Sequence, residues 1–206
     1  MNRVTLTAAM SVLRQKLSEL FSAQRAPAGY QPGRTLGQLR RNLGLARFEQ
    51  VSPTLARAAL DDDSLHLEIR ERTESQLLMH LVMTQFCLRL PASTEGAACF
   101  VLHHGGAVRR TGIRCRQRMG EPALLGQLQV RLQQDSALLQ ALMPLDFKRL
   151  HIELRDQQWH VCLEHMGGSE VVNRMPAFRR YIALSREQRD ALLAALAGLQ
   201  RVLRTL

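Results

Sequence analysis

The chain has 206 residues and a formal net charge of +10, and its content of 46% hydrophobic and 22% charged residues is typical of a folded globular protein rather than a disordered one. No apolar run approaches the roughly 20 residues of a membrane-spanning helix, and Arg14 and Lys16 interrupt the first apolar stretch, so we expect neither a transmembrane segment nor a secretory signal. Cysteines without metal-ligand spacing predict free thiols in a reducing cytoplasm, namely Cys87, Cys99, Cys115 and Cys162.

The N-terminal segment predicts an amphipathic helix within residues 1–26. Met10, Leu13 and Leu17 recur at helical spacing, and a loop rich in proline and glycine follows. We expect residues 27–206 to form a single α+β domain. The basic segment 35–60 is divided by Pro53 and leaves helix and strand as open alternatives.

Strand patterns follow from residue 65 onwards. Residues 65–72 alternate between apolar and polar side chains, which predicts a strand with one buried face. Residues 76–90 are apolar almost throughout and fit a strand buried on both faces or a helix, with the β-branched and aromatic residues favouring a strand. Residues 97–104 and 107–118 predict a hairpin that turns at Gly105-Gly106.

A cluster of arginines without any acidic residue among them lies in the second strand of this hairpin: Arg109, Arg110, Arg114, Arg116 and Arg118. Arginines on one strand face suit a phosphate-bearing partner. The same row also fits a charged edge strand that resists pairing with another sheet. Because Lys16 and Lys148 are the only lysines, the overall charge also fits a coding bias towards arginine.

Two helices are predicted in the C-terminal half. Pro122 and a leucine repeat predict a central helix to Met143, with a break near Asp135. Ser185 and Gln188 have the spacing of a capping box at the start of a last amphipathic helix.

Between these helices, residues 150–154 and 159–163 alternate strictly, with Trp159 among the apolar positions. The four residues between them predict a tight turn, and a two-residue or a four-residue loop gives the same register. One face of this hairpin then carries apolar side chains, and the other carries pairs of polar ones: Arg149 with Glu164, His151 with Cys162, and Glu153 with His160. Imidazole, thiolate and carboxylate groups on one solvated face are candidate metal ligands, with His151, His160 and Cys162 as the set, although such pairs are also ordinary on an exposed sheet.

Paired glycines after this hairpin predict a sharp turn with at least one positive φ angle. A second candidate site, for a small anion, surrounds it: Gly167, Gly168, Ser169, Glu170, Arg179, Arg180 and Tyr181. The alternative is a structural loop that holds the last helix against the sheet through an Arg–Glu pair.

The pattern W-x-V-x-L-x-x-x-G-G-S-E-V-V, followed by M-P-x-x-R-R-Y-I-x-L, resembles a bacterial family catalogued only as a domain of unknown function, number three-one-five-six. The resemblance covers residues 159–184 and, more loosely, the rest of the chain. It implies no activity and no functional residues.

We therefore expect an α+β fold, in which an antiparallel sheet carries an N-terminal, a central and a C-terminal helix. The absence of a phosphate loop, a nucleophile elbow or a paired-cysteine motif favours a non-enzymatic binding or interaction module without a cofactor. The sequence does not identify a partner, and a protein and a polyanion are both left open. The alternatives are nucleic-acid or polyanion binding through the arginine strand, and a metal-dependent enzyme that uses the polar hairpin face.

Overall fold

The computed structural model describes residues 30–60, 62–75, 79–106, 109–174 and 176–206. The helices are α1 (Arg34–Leu43), α2 (Pro122–Gln134), α3 (Ser136–Leu142) and α4 (Arg186–Leu203). The strands are β1 (Arg47–Ser52), β2 (Leu55–Ala59), β3 (His66–Ser75), β4 (Met79–Pro91), β5 (Ala98–Gly105), β6 (Gly112–Met119), β7 (Phe147–Arg155), β8 (Gln158–Arg174) and β9 (Ala177–Ile182).

All nine strands form one antiparallel sheet in the order β1-β2-β3-β4-β8-β7-β5-β6, and β9 pairs with the second half of β8. Strand β8 therefore lies at the centre between β4 and β7, which are far apart in sequence. Strands β1 and β6 form the two edges. The predicted α+β class with helices packed on an antiparallel sheet is confirmed. The helix predicted within residues 1–26 lies outside the described residues.

The helices pack against one face of the sheet, where alternate strand residues and the apolar stripes of the helices share a single core. Phe86, Phe100 and Trp159 are fully buried in it. The predicted capping box at Ser185 and Gln188 begins α4, and the predicted break near Asp135 separates α2 from α3. Within the described ranges, no helix is long and apolar enough to cross a bilayer.

The central hairpin, β7 and β8, has the predicted register, with Leu154 opposite Trp159 and Glu153 opposite His160. Of the two possible connections, the structure contains the two-residue turn, in which Asp156 and Gln157 have φ angles of 53° and 54°. Two consecutive positive φ angles match the right-handed twist of the strands. The turn and the alternation of apolar side chains thus specify the same pairing.

The segment for which the sequence left helix and strand open, residues 35–60, contains helix α1 and strands β1 and β2. Gly33, at the N-cap position before the first residue of α1, has no side chain that could cap the helix. Instead, the carboxylate of Glu71 on β3 accepts hydrogen bonds from the backbone N–H groups of Gly33 (3.1 Å) and Leu36 (3.0 Å). A carboxylate at this position stabilises the unpaired N–H groups and the positive end of the helix dipole. The cap comes from a strand that is distant in sequence, so local pattern could not reveal it.

Candidate functional site

The face of the sheet opposite the helices, called the open face here, carries most of the charged side chains of the strands. Its arginines outnumber its glutamates. The arginines of the open face are Arg47, Arg57, Arg70, Arg72, Arg89, Arg114, Arg116, Arg118, Arg149 and Arg155, and the glutamates are Glu49, Glu68, Glu74, Glu153 and Glu164.

The arginine row, Arg114, Arg116 and Arg118, lies on the edge strand β6. All three side chains are exposed, and they alternate with the partly buried Ile113, Cys115 and Gln117, which face the helices. Arg114 and Arg116 lie in the regularly paired part of β6, where residues two apart are separated by roughly 6.7 Å. Arg118 follows at an irregularity of the pairing with β5, so the regular spacing holds for the first two arginines. Among the ion pairs of the described residues, none involves these three arginines.

Arg109 and Arg110 do not extend this row, contrary to the five-residue patch suggested by the sequence. Arg109 is an exposed residue of the β5–β6 connection. Arg110 donates to the carbonyl oxygens of Met143 (2.8 Å) and Leu145 (2.9 Å) and pairs with Asp146. A cation at the C-terminus of a helix is stabilised by the unpaired carbonyl groups there, so Arg110 anchors the end of α3.

The polar face of the central hairpin contains a disulfide that the sequence did not predict. Cys162 on β8 lies directly opposite Cys87 on β4 and is bonded to it, with the Cα atoms 4.2 Å apart. The expectation of four free thiols is therefore wrong for these two residues, whereas Cys99 and Cys115 are free. Because its sulfur is oxidised, Cys162 is not available as a metal ligand, and the predicted set of His151, His160 and Cys162 is incorrect.

The free thiol near the polar residues of the hairpin is Cys99 on β5, which lies close to His151. Cys99 lies opposite Glu153, and Val101, two residues further along β5, lies opposite His151. Because residues two apart share a face of a strand, Cys99, His151 and Glu153 all lie on the open face. One ligand atom each of Cys99, His151 and Glu153 lie within 4.8 Å of one another. Burial and the adjacent Glu153 carboxylate raise the pKa of the Cys99 thiol, against the opposing effect of Arg118. No sequence pattern pointed to Cys99, because β5 and β7 are not consecutive strands.

His160 lies one strand further, between Glu153 on β7 and Arg89 on β4. Partial burial is the largest cause that lowers the pKa of His160, and the cations Arg155 and Arg89 lower this pKa further. These effects favour the neutral form of the imidazole over the charged one. A small cavity of about 80 Å³ above the disulfide is lined by both hairpin histidines and Glu153.

Glu164 was predicted on a solvated surface, but it is almost fully buried, with 1% of its side chain exposed. One of its carboxylate oxygens lies 3.4 Å from Arg72 and 3.7 Å from Arg149, the predicted cross-strand partner. The two arginine side chains lie beside it from the neighbouring strands. Removing a carboxylate from water is costly unless such cationic partners lie beside it. Both arginines therefore have a structural role on the open face.

Gly167-Gly168 does not form the predicted sharp turn. Strand β8 continues through it, and the irregular pairing between β4 and β8 places extra residues of β8 in a bulge there. The predicted positive φ is confirmed for Gly168, at 85°. The hydroxyl of Ser169 accepts from the backbone N–H of Thr84 (3.0 Å) and donates to the carbonyl of His165 (2.7 Å). The bulge uses its polar groups internally.

The anion-binding candidate around this bulge is already filled by a carboxylate of the chain itself. Glu170 is 1% exposed and accepts two hydrogen bonds from Arg179 and one from the hydroxyl of Thr35 on α1 (3.0 Å). Tyr181 donates to Asn42 (3.2 Å), while Arg180 is exposed. The structural alternative is thus the one that the geometry supports, although the buried Arg–Glu pair holds α1, and not the last helix, against the sheet.

Comparison with known proteins adds the family but no activity. A family model described as a protein of unknown function (DUF3156) matches residues 41–203. The resemblance seen in the tryptophan and glycine pattern is thereby confirmed. No curated protein matches the chain, and no solved structure does.

Proposed function

We propose that this chain, which belongs to the DUF3156 family, is a non-enzymatic binding module whose open face binds an extended polyanion such as a single-stranded nucleic acid. The observation that supports the proposal most directly is the arginine row on β6. It consists of exposed guanidinium groups without an ion-pair partner among the described residues, on the one sheet face that no described helix covers.

The geometry of the row suits a linear array of phosphates. Guanidinium groups bind phosphate oxygens through two parallel hydrogen bonds, and three exposed ones along a single edge strand can contact successive phosphates of an extended chain. The neighbouring strands add further arginines, although several of these are already paired with glutamates, such as Arg70 and Arg89 with Glu68. The row on the sheet edge is the part of the open face where the positive charge is least compensated.

Two explanations compete with binding, namely protection of the edge strand and a coding bias towards arginine. Both predict that the arginines act only through net charge or through repulsion of other sheets. Binding predicts that their position matters. A comparison of two triple variants with equal charge therefore separates these explanations.

The test is fluorescence-polarisation titration of a labelled single-stranded oligonucleotide at several salt concentrations. The row variant is Arg114→Gln, Arg116→Gln and Arg118→Gln. Each phosphate contact contributes about −0.7 to the slope of log K against log salt, so removal of three contacts should reduce the steepness of that slope by about 2. Titrations contain EDTA, so that the result does not depend on metal ions.

The matched control is Arg131→Gln, Arg186→Gln and Arg204→Gln, which removes the same charge from exposed positions on and beside the helices. This variant should keep the slope of the wild type. The proposal fails if the wild type binds no oligonucleotide at low salt, or if the control variant weakens binding as much as the row variant does.

A cytoplasmic location, as expected from the sequence, is part of the proposal, because nucleic acid is present in the cytoplasm. It depended partly on the expectation of four free thiols, so the disulfide between Cys87 and Cys162 weakens its support. Alkylation of thiols in intact cells, followed by mass measurement without reductant, tests it. Two protected cysteines in the native chain would argue for an oxidising compartment.

A further inference from the structure

We propose that Cys99, His151 and Glu153 bind a divalent transition-metal ion of the zinc type on the open face. The pairing of β5 with β7 brings a thiol, an imidazole and a carboxylate from two strands onto one surface. Metal binding by this group does not depend on polyanion binding.

The three ligand atoms are close to coordination geometry. At bond lengths of about 2.0–2.3 Å, tetrahedral ligand atoms are roughly 3.3–3.8 Å apart, whereas the three atoms here lie within 4.8 Å of one another. They therefore need to approach by at most about 1.5 Å. Changes of side-chain torsion alone can supply this movement, because all three residues are only half-buried.

The chemistry of the donors indicates the class of metal. A thiolate and an imidazole are poor ligands for the hard cations Ca²⁺ and Mg²⁺, which take oxygen donors. One sulfur, one nitrogen and one carboxylate oxygen suit Zn²⁺ and Co²⁺. On binding, the S–H bond of Cys99 breaks, a sulfur–metal bond forms, and the proton passes to the solvent.

Three protein ligands leave a fourth coordination position. Two of the ligands, His151 and Glu153, also line the small cavity above the disulfide, together with His160. Its volume of about 80 Å³ is enough for two water molecules at about 30 Å³ each. The space beside two of the three ligands and His160 therefore has room for a water molecule.

Competing arrangements of the same residue types provide the controls. Cys115 is the other free cysteine of the described residues, and it points towards the helices from β6 rather than towards the histidines. His103 is an exposed histidine on the same face and strand as Cys99, outside the proposed site. Cys115→Ser and His103→Gln therefore change one thiol or one imidazole each without touching the proposed ligands.

The experiment is titration of the full chain with Co²⁺ in buffer without reductant, which leaves the disulfide intact, followed by competition with Zn²⁺. We expect one equivalent of Co²⁺, an absorption band for charge transfer from sulfur to cobalt, and displacement by Zn²⁺. Cys99→Ser should abolish the band. His151→Gln and Glu153→Gln should each weaken binding by more than about tenfold, since even changes beyond the direct ligands weaken metal binding by 10–100-fold.

Both control variants should bind Co²⁺ as the wild type does, and circular dichroism should show that each variant is folded. As a second measurement, Zn²⁺ should slow alkylation of Cys99 in the wild type but leave alkylation of Cys115 unchanged. The proposal is refuted by absence of stoichiometric binding, by a band that persists in Cys99→Ser, or by equal losses in the control variants. None of these results depends on oligonucleotide binding, which is measured with EDTA.

Discussion

Replacement of Trp159 by alanine should destabilise the protein by about 3–5 kcal/mol, the usual cost of a large-to-small change of a buried aromatic residue. Trp159 is fully buried at the start of the central strand β8, between Leu154 on β7 and Leu90 on β4. Both neighbours are also buried, so the surrounding side chains can fill the space of the missing ring only in part. The cavity term should therefore be added to the lost transfer free energy.

A second variant, Trp159→Phe, tests the polar part of the same side chain. The indole N–H is buried and has no hydrogen-bond partner among the described residues. An unsatisfied buried donor costs about 1–3 kcal/mol, and phenylalanine removes that donor while keeping one aromatic ring. We therefore expect Trp159→Phe to remain within about 1.5 kcal/mol of the wild type, because the loss of apolar contact and the relief of the donor oppose each other.

The assay is urea unfolding followed by far-ultraviolet circular dichroism, which does not require the tryptophan. The control is Phe178→Ala, at an aromatic residue of β9 with 47% of its surface exposed, for which we expect less than about 1 kcal/mol. Since Trp159 is the only tryptophan, its native fluorescence should be shifted to the blue and resist quenching by iodide. A loss below about 1 kcal/mol for Trp159→Ala, or quenching equal to that of the unfolded chain, would refute the reasoning.

Three further changes test other parts of the fold by the same unfolding assay. Glu170→Gln should cost about 3–5 kcal/mol, because it removes the buried carboxylate that accepts two hydrogen bonds from the guanidinium of Arg179; a cost below 1 kcal/mol would contradict this. Gly168→Ala should cost more than Gly44→Ala, since both have positive φ but only at Gly168 would the added carbon meet a neighbour, at 2.9 Å; equal costs would argue against that contact. Reduction of the Cys87–Cys162 bond, across 75 residues, should cost up to about 4.5 kcal/mol, and an unchanged midpoint would show that the bond is absent or without effect.

The sequence by itself determined the local elements and the register of the central hairpin. Strict alternation on both sides of a short turn allows only a pairing that places Trp159 opposite Leu154, because a shift by one residue would turn every apolar side chain to the solvent. The capping box at Ser185 and the break at Asp135 were also readable, since both depend on residues within one helical turn.

The tertiary structure decided which strands are neighbours, and with them the candidate site. Strand β8 lies between β4 and β7, so that Cys162 meets Cys87 across 75 residues of sequence. Strand β7 lies next to β5, so that Cys99 meets His151 and Glu153. Local periodicity tells which face a side chain occupies but carries no information on the strand beside it, and for this reason the proposed ligand set could not be assigned from the pattern alone.

The same limit applies to the polar groups inside the fold. Glu71 caps α1 from a distant strand, and Glu170 accepts hydrogen bonds both from Arg179 and from Thr35, which lies 135 residues away in sequence. In the sequence these glutamates resemble ordinary surface charges. In the fold they are shielded from water and accept hydrogen bonds from groups on other elements. A carboxylate away from water is stable only where such donors surround it, so the order of the strands gives both glutamates a structural role. The sequence thus determined the elements and their faces, whereas the long-range order of the strands determined what those faces bring together.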